Sequence, residues 1–196
     1  MDYQAHITRE EDQKNNMNIS KVYKIDCTKF FEDVERFEDL NNVLIDICKK
    51  VFVDAYNSGG KEAGAIFNLR TLEYDFKKAY KYDSISFKSK LNDTDICESI
   101  LDKAHKHECV TIHTHNSVGT FSIQDILSLL RNDKVCTIVL VDSDANIKIL
   151  CKDINTNYSA LENYLLNYFV DYIDNTIYNQ LKQYKLIIKG VNWYDS

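Results

Sequence analysis

Proline is absent from the 196 residues and glycine occurs only five times, so helix starts and turns must be set by Asn, Asp, Ser and those few glycines. No Cys-x-x-Cys pair exists either. Cys27, Cys48, Cys97, Cys109, Cys136 and Cys151 are scattered, which gives little ground for a disulfide framework and reads as reduced, mostly buried thiols. Basic residues are outnumbered, with 24 Lys plus Arg against 30 Asp plus Glu for a formal charge of −6. An acidic chain exerts no general attraction on phosphate backbones or anionic lipid, so nucleic acid is not an expected partner. Long apolar runs are missing as well. The best of them, Val135 to Val141, falls far short of the ~20 residues a membrane-spanning helix needs. The opening MDYQAHITREEDQKNN carries acids and no apolar stretch, unlike a secretory signal. These absences point to a cytoplasmic protein that does not enter a membrane.

What is present is the mixture of a globular domain, 44% hydrophobic and 28% charged, in a chain long enough to bury a sizeable core. Residues 1–20 are polar and without periodicity and read as a flexible N-terminal tail. Val22, Tyr23 and Ile25 suggest a short strand. Leu40, Val43, Leu44, Ile47, Val51 and Phe52 then recur at helical spacing until Asn57-Ser58-Gly59-Gly60 stops the helix. Glu62 to Leu69 reads as a strand that turns through Arg70 and Thr71 into a meander, with Ile85 and Phe87 on a third strand. Asp93 or Thr94 caps a helix bearing Ile96, Ile100, Leu101 and Ala104, which leads to a strand from Cys109 to His115. A loop from Asn116 to Phe121 follows, then a helix from Ser122 to Leu130. Val135 to Val141 is a buried strand, Asp142 to Asn146 a hairpin turn, and Ile147 to Leu150 its return. One helical stripe runs through Leu161, Leu165, Tyr168, Tyr172, Ile173, Ile177 and Leu181, ending near Gly190. Helices and strands without strict alternation indicate an α+β domain at 21–152, covered by a C-terminal helix within 153–196.

Chemistry concentrates in Thr111 to Asp125. Residues two apart on a strand project to one face, so His113 and His115 can offer two imidazoles to one ion. The loop then reverses the chain into a helix whose first turn carries Asp125, and a carboxylate there can complete a His, His, Asp set with a fourth position open. Each piece also has a plainer explanation. Ser122-Ile-Gln-Asp125 fits a helix capping box, and paired histidines on a strand can be core or surface residues. His105, His107 and Cys109 form a second alternating series, but they straddle a helix end and a strand start and should not converge.

Glu62, His113, His115, Ser122 and Asp125, in that order, resemble the pattern of the JAMM (JAB/MPN) metalloproteases: an upstream Glu, H-x-H-P, a short loop and S-x-x-D. The likeness extends over roughly Leu40 to Lys152 and is nearest to bacterial JAB-domain sequences, with Asn116 standing where the pattern has proline. It implies a JAB/MPN-like fold, a cytidine-deaminase-like layered mixed β-sheet flanked by helices. It implies a Zn2+ cofactor held by His113, His115 and Asp125, with Glu62 as general base and Ser122 as donor to the oxyanion of the cleaved carbonyl. The implied activity is hydrolysis of a peptide or isopeptide bond in a protein or peptide substrate, a ubiquitin-like conjugate or precursor being one candidate. Glu73 is the rival to Glu62, and its place after a turn predicts exposure. Two other functions compete: a non-catalytic JAB-type binding scaffold, and an H-x-H metallophosphoesterase, which would need several ions and more ligands than five histidines readily supply.

Overall fold

The computed structural model describes residues 16–78, 96–153, 155–167 and 175–190. Among the described residues six strands form one sheet: β1 (Ala63–Asn68), β2 (Tyr74–Lys78), β3 (Cys109–Thr114), β4 (Val135–Val141), β5 (Ile147–Cys151) and β6 (Ile187–Lys189), in the order β2-β1-β3-β4-β5-β6. The β3–β4 pairing is parallel and every other pairing antiparallel. The helices are α1 (Glu38–Asn57), α2 (Ile96–Lys103), α3 (Ile123–Arg131), α4 (Ser159–Leu166) and α5 (Asn175–Gln183). The chain is therefore α+β, a mixed sheet flanked by helices.

Alternation along the central strands sorts the core into two halves. Val110 and Ile112 on β3 and Val139 and Val141 on β4 face α1, meeting Leu44, Ile47, Cys48, Val51 and Phe52. On the other face Ile138 and Leu140 of β4 pack with Ile126 and Leu129 of α3, Leu161 and Leu165 of α4, and Ile177 and Leu181 of α5. Sheet and helix periodicities agree at this junction, which is why the apolar spacing was readable in both. Among the described residues no helix is long and apolar enough to cross a membrane.

Three expectations change. The strand read at Val22 to Ile25 is a 3-10 helix, Ile19–Cys27. Ile19, Val22 and Ile25 are three residues apart, and a helix with three residues per turn places all of them against the α1 half of the core. The arm read as tail to residue 20 is packed from Met17 onward: Met17 is buried and Asn18 N donates to Ser143 O. Finally, the single C-terminal stripe is divided. Helix α4 stops at Leu166, where the Asn167 side chain donates to Asn163 O and competes with the helical backbone bond. Helix α5 follows as a separate element and leads through Lys185, at φ 58°, into β6, a strand the helical reading missed. The expected third meander strand at Ile85 and Phe87, the cap at Asp93 or Thr94, residues 1–15, and Tyr168, Tyr172 and Ile173 lie outside the described residues.

Candidate metal centre

Two elements and one strand entrance converge at one end of the sheet. β3 lies in the middle, paired with β1 on one side and β4 on the other, and His113 stands opposite Gly64 and Leu140. Its imidazole projects to the α3 face, since Ile112 and Thr114 on either side point to the α1 face. His115 continues the same face one residue past the strand, its N–H donating to Val141 O at 3.0 Å. The two rings sit with centroids 5.0 Å apart and planes inclined at 62°.

The loop from Asn116 to Phe121 reaches across to α3 and is pinned by the fully buried Phe121. Ser122 is extended, φ −76° and ψ 163°, as an N-cap residue should be. Its hydroxyl accepts from Asp125 N at 3.1 Å, and Asp125 Oδ2 accepts in return from Ser122 N at 2.7 Å and from Ser122 Oγ at 2.8 Å. The capping box is thus real, and it also orients the Asp125 carboxylate. With Oδ2 tied to Ser122, Oδ1 lies 3.2 Å from His113 Nε2, while Oδ2 lies 3.5 Å from His115 Nε2. One donor atom from each of His113, His115 and Asp125 falls within 4.8 Å of the others, and this group could hold a metal ion.

Electrostatics ties the group together. Burial alone would lower the His113 pKa, but the Asp125 carboxylate and, more weakly, the charge of Glu62 outweigh it and leave the group above its ordinary value. Burial likewise pushes the Asp125 carboxyl upward, and the two imidazoles more than reverse that, holding it well below the usual carboxylate range. His113 Nε2 is buried and, despite its closeness to Asp125, makes no hydrogen bond. A cation at the meeting point of the three donors would give that nitrogen its partner, so the residues fit a metal.

Glu62 occupies the residue before β1, half-buried, at the point where Ser58, Gly59 and Gly60 have turned the chain out of α1. Gly59 and Gly60 have φ of 76° and 81°, and Gly60 N closes the helix onto Ala55 O. Glu62 is close enough for its charge to act on His113 but is not in the donor group. Glu73 is exposed, accepting from Thr71 Oγ1 in the β1–β2 turn. His105 and Cys109 do not join His107: His105 is exposed beside Glu108, whereas Cys109 is buried in the core.

Sequence reasoning missed two supports of the site. Asp142 does make the expected turn, accepting from Asp144 N and Asn146 N, but it is also fully buried and paired with Lys148 Nζ at 2.9 Å. The signal was a lysine inside the apolar strand Ile147-Lys148-Ile149-Leu150. Thr114, between the two histidines, is buried with its hydroxyl bonded to the backbone of Ala63. Cys27, Cys48, Cys109, Cys136 and Cys151 are free; Cys27 is exposed and the other four are buried or half-buried. Comparison with protein-family models, with curated proteins and with solved structures gives no match to this chain.

Proposed function

We propose that the chain is a zinc-dependent metallopeptidase of the JAMM type, with a JAB/MPN-like arrangement of its sheet, that hydrolyses a peptide or isopeptide bond. The observation that carries this reading is the meeting of His113, His115 and Asp125, with the Glu62 charge acting on the same imidazole. Two histidine nitrogens and one carboxylate oxygen are a donor set used by zinc when a coordination position is left open for chemistry.

In this reading His113, His115 and Asp125 hold the ion. When bound there, zinc supplies Lewis acidity that makes water a competent nucleophile near neutral pH. The Glu62 carboxylate accepts the proton of the attacking water and returns it to the departing nitrogen, without which the amide bond does not break. Ser122 has two duties. Its hydroxyl gives its one proton to Asp125 Oδ2 at 2.8 Å in the resting site and turns it to the oxygen of the cleaved carbonyl as negative charge develops there, while the Ser122 N–H keeps hold of Oδ2 at 2.7 Å. The substrate is a protein or peptide, with a ubiquitin-like conjugate or precursor as the first candidate, and the reduced cysteines suit the cytoplasm.

The test is a panel of ubiquitin-like fusions, lysine isopeptides and linear peptides, assayed with and without chelator alongside metal analysis. Glu62→Gln is expected to retain about one zinc per chain and to lose cleavage. Persistent cleavage removes Glu62 as the base. A protein that takes up no metal is a binding scaffold instead, and one that takes up two or more ions is a phosphoesterase.

A further inference from the structure

The backbone pairing of β1 with β3 ends at Gly64 opposite His113. Past that point the link between the strands passes through a side chain. Ala63 N donates to Thr114 Oγ1 at 3.0 Å, and Thr114 Oγ1 lies 3.4 Å from Ala63 O, to which it donates. Thr114 is 1% exposed and Ala63 2%, so this hydroxyl, accepting once and donating once, is satisfied without water. The Ala63 N–H belongs to the peptide unit that begins at the Glu62 carbonyl carbon. Thr114 is covalently flanked by His113 and His115. One buried hydroxyl therefore connects the backbone of Glu62 to the segment that carries both imidazoles.

We propose that Thr114 is the positioning residue that sets Glu62 against the two histidines. The inference rests on Glu62 and the His113–His115–Asp125 group forming one site. A displacement of about 1 Å between a reacting group and its partners can cost on the order of 100-fold in rate, so a short, dry tether between base and ligands has a function that a solvated loop would not provide. Valine has the shape of threonine but lacks the hydroxyl. Thr114→Val releases the Ala63 peptide while leaving every donor atom of the metal group in place.

The test uses Co2+ as the bound probe, because its visible bands report the surroundings of the ion without a substrate. Glu62→Gln is expected to shift those bands. Thr114→Val is expected to shift them in the same direction with about one Co2+ still bound per chain, Thr114→Ser to restore them, and the double variant to show no shift beyond that of Glu62→Gln. Thr114→Ala serves as the second variant should the valine protein fail to fold. Hydrogen exchange of the Ala63 amide in the unchanged protein should be slow. Native bands in Thr114→Val, lost Co2+ in that variant, or a rapidly exchanging Ala63 amide overturns the proposal. Bands that do not respond to Glu62→Gln overturn the shared site itself, and the positioning role falls with it.

Discussion

Strand β3 has metal-binding residue types at both of its ends, and among the described residues only one end gathers three donors that could hold a metal ion. Before the strand, His105 and His107 alternate with Lys106 and lead to Cys109; at its far end stand His113 and His115. The first histidine of the early pair is exposed and lies 3.3 Å from Glu108, and the second is turned aside by a left-handed backbone, φ 60°. The later pair is held by pairing to β1 and β4 and met by a carboxylate from α3. Alternation aligns side chains only where the backbone is already extended, and two aligned imidazoles make a site only when another element brings a third donor.

The largest difference between the ends is expected in metal uptake. His113→Ala should take bound zinc from about one ion per chain to near none, while His107→Ala leaves it unchanged, both measured by elemental analysis of protein dialysed at equal zinc. Equal zinc retention by the two variants would erase the contrast.

Smaller effects are expected from the buried lysines that brace each end. At the site end Lys148 faces the Asp142 carboxylate, and at the other Lys152 donates to the carbonyls of Leu129 and Asn132 at 3.0 and 2.7 Å. Asp142→Ala leaves a buried ammonium without its counter-charge and should cost about 3–5 kcal/mol in denaturant unfolding. Lys152→Met removes the charge together with its desolvation and should cost nearer 1–3 kcal/mol, the penalty of carbonyls left unpaired. A reversed order would mean that the two ends are not braced as the contacts indicate.

The smallest effect is a pair of opposed titrations in the metal-free protein, read by NMR of the ring protons. His113 is expected above the ordinary value of 6.5, because Asp125 and Glu62 outweigh its burial. His107 is expected below it, because burial and the Lys152 charge prevail over Asp133. The signs for stability then differ. The His113 contribution is fully present below pH 6.5 and is lost as the pH rises through its folded pKa; the His107 contribution is present above 6.5 and is lost as the pH falls through its own. Zinc binding at the proposed centre would have to displace the His113 proton, so affinity is expected to weaken as the medium acidifies through that folded value.

The central sheet and α1 were legible because each apolar position served one period and one core: Ile112, Val139 and Phe52 are buried where alternation or helical spacing put them. The donor group was legible because His113, His115 and Asp125 lie on one strand-loop-helix passage, so short-range geometry decides most of their spacing. The rest depended on contacts between distant segments. A spacing of three in Ile19, Val22 and Ile25 suits a 3-10 turn only once Asn18 is docked on Ser143, more than a hundred residues away. The end of α4 was hidden because Leu161 to Leu181 keeps helical spacing through the residue where Asn167 turns its side chain back on the helix. Lys148 and Thr114 were invisible as supports because their partners, Asp142 and Ala63, are chosen by strand pairing rather than by nearness along the chain.

The capping box gives α3 a beginning that owes nothing to the ion. Ser122 and Asp125 close the first turn between themselves, so a chelator should strip the centre and leave the helix standing, unlike small zinc modules that come apart when emptied. Loading of the proposed ion is then expected to be a matter of exchange rather than of refolding, so that one batch of protein should accept different ions in turn.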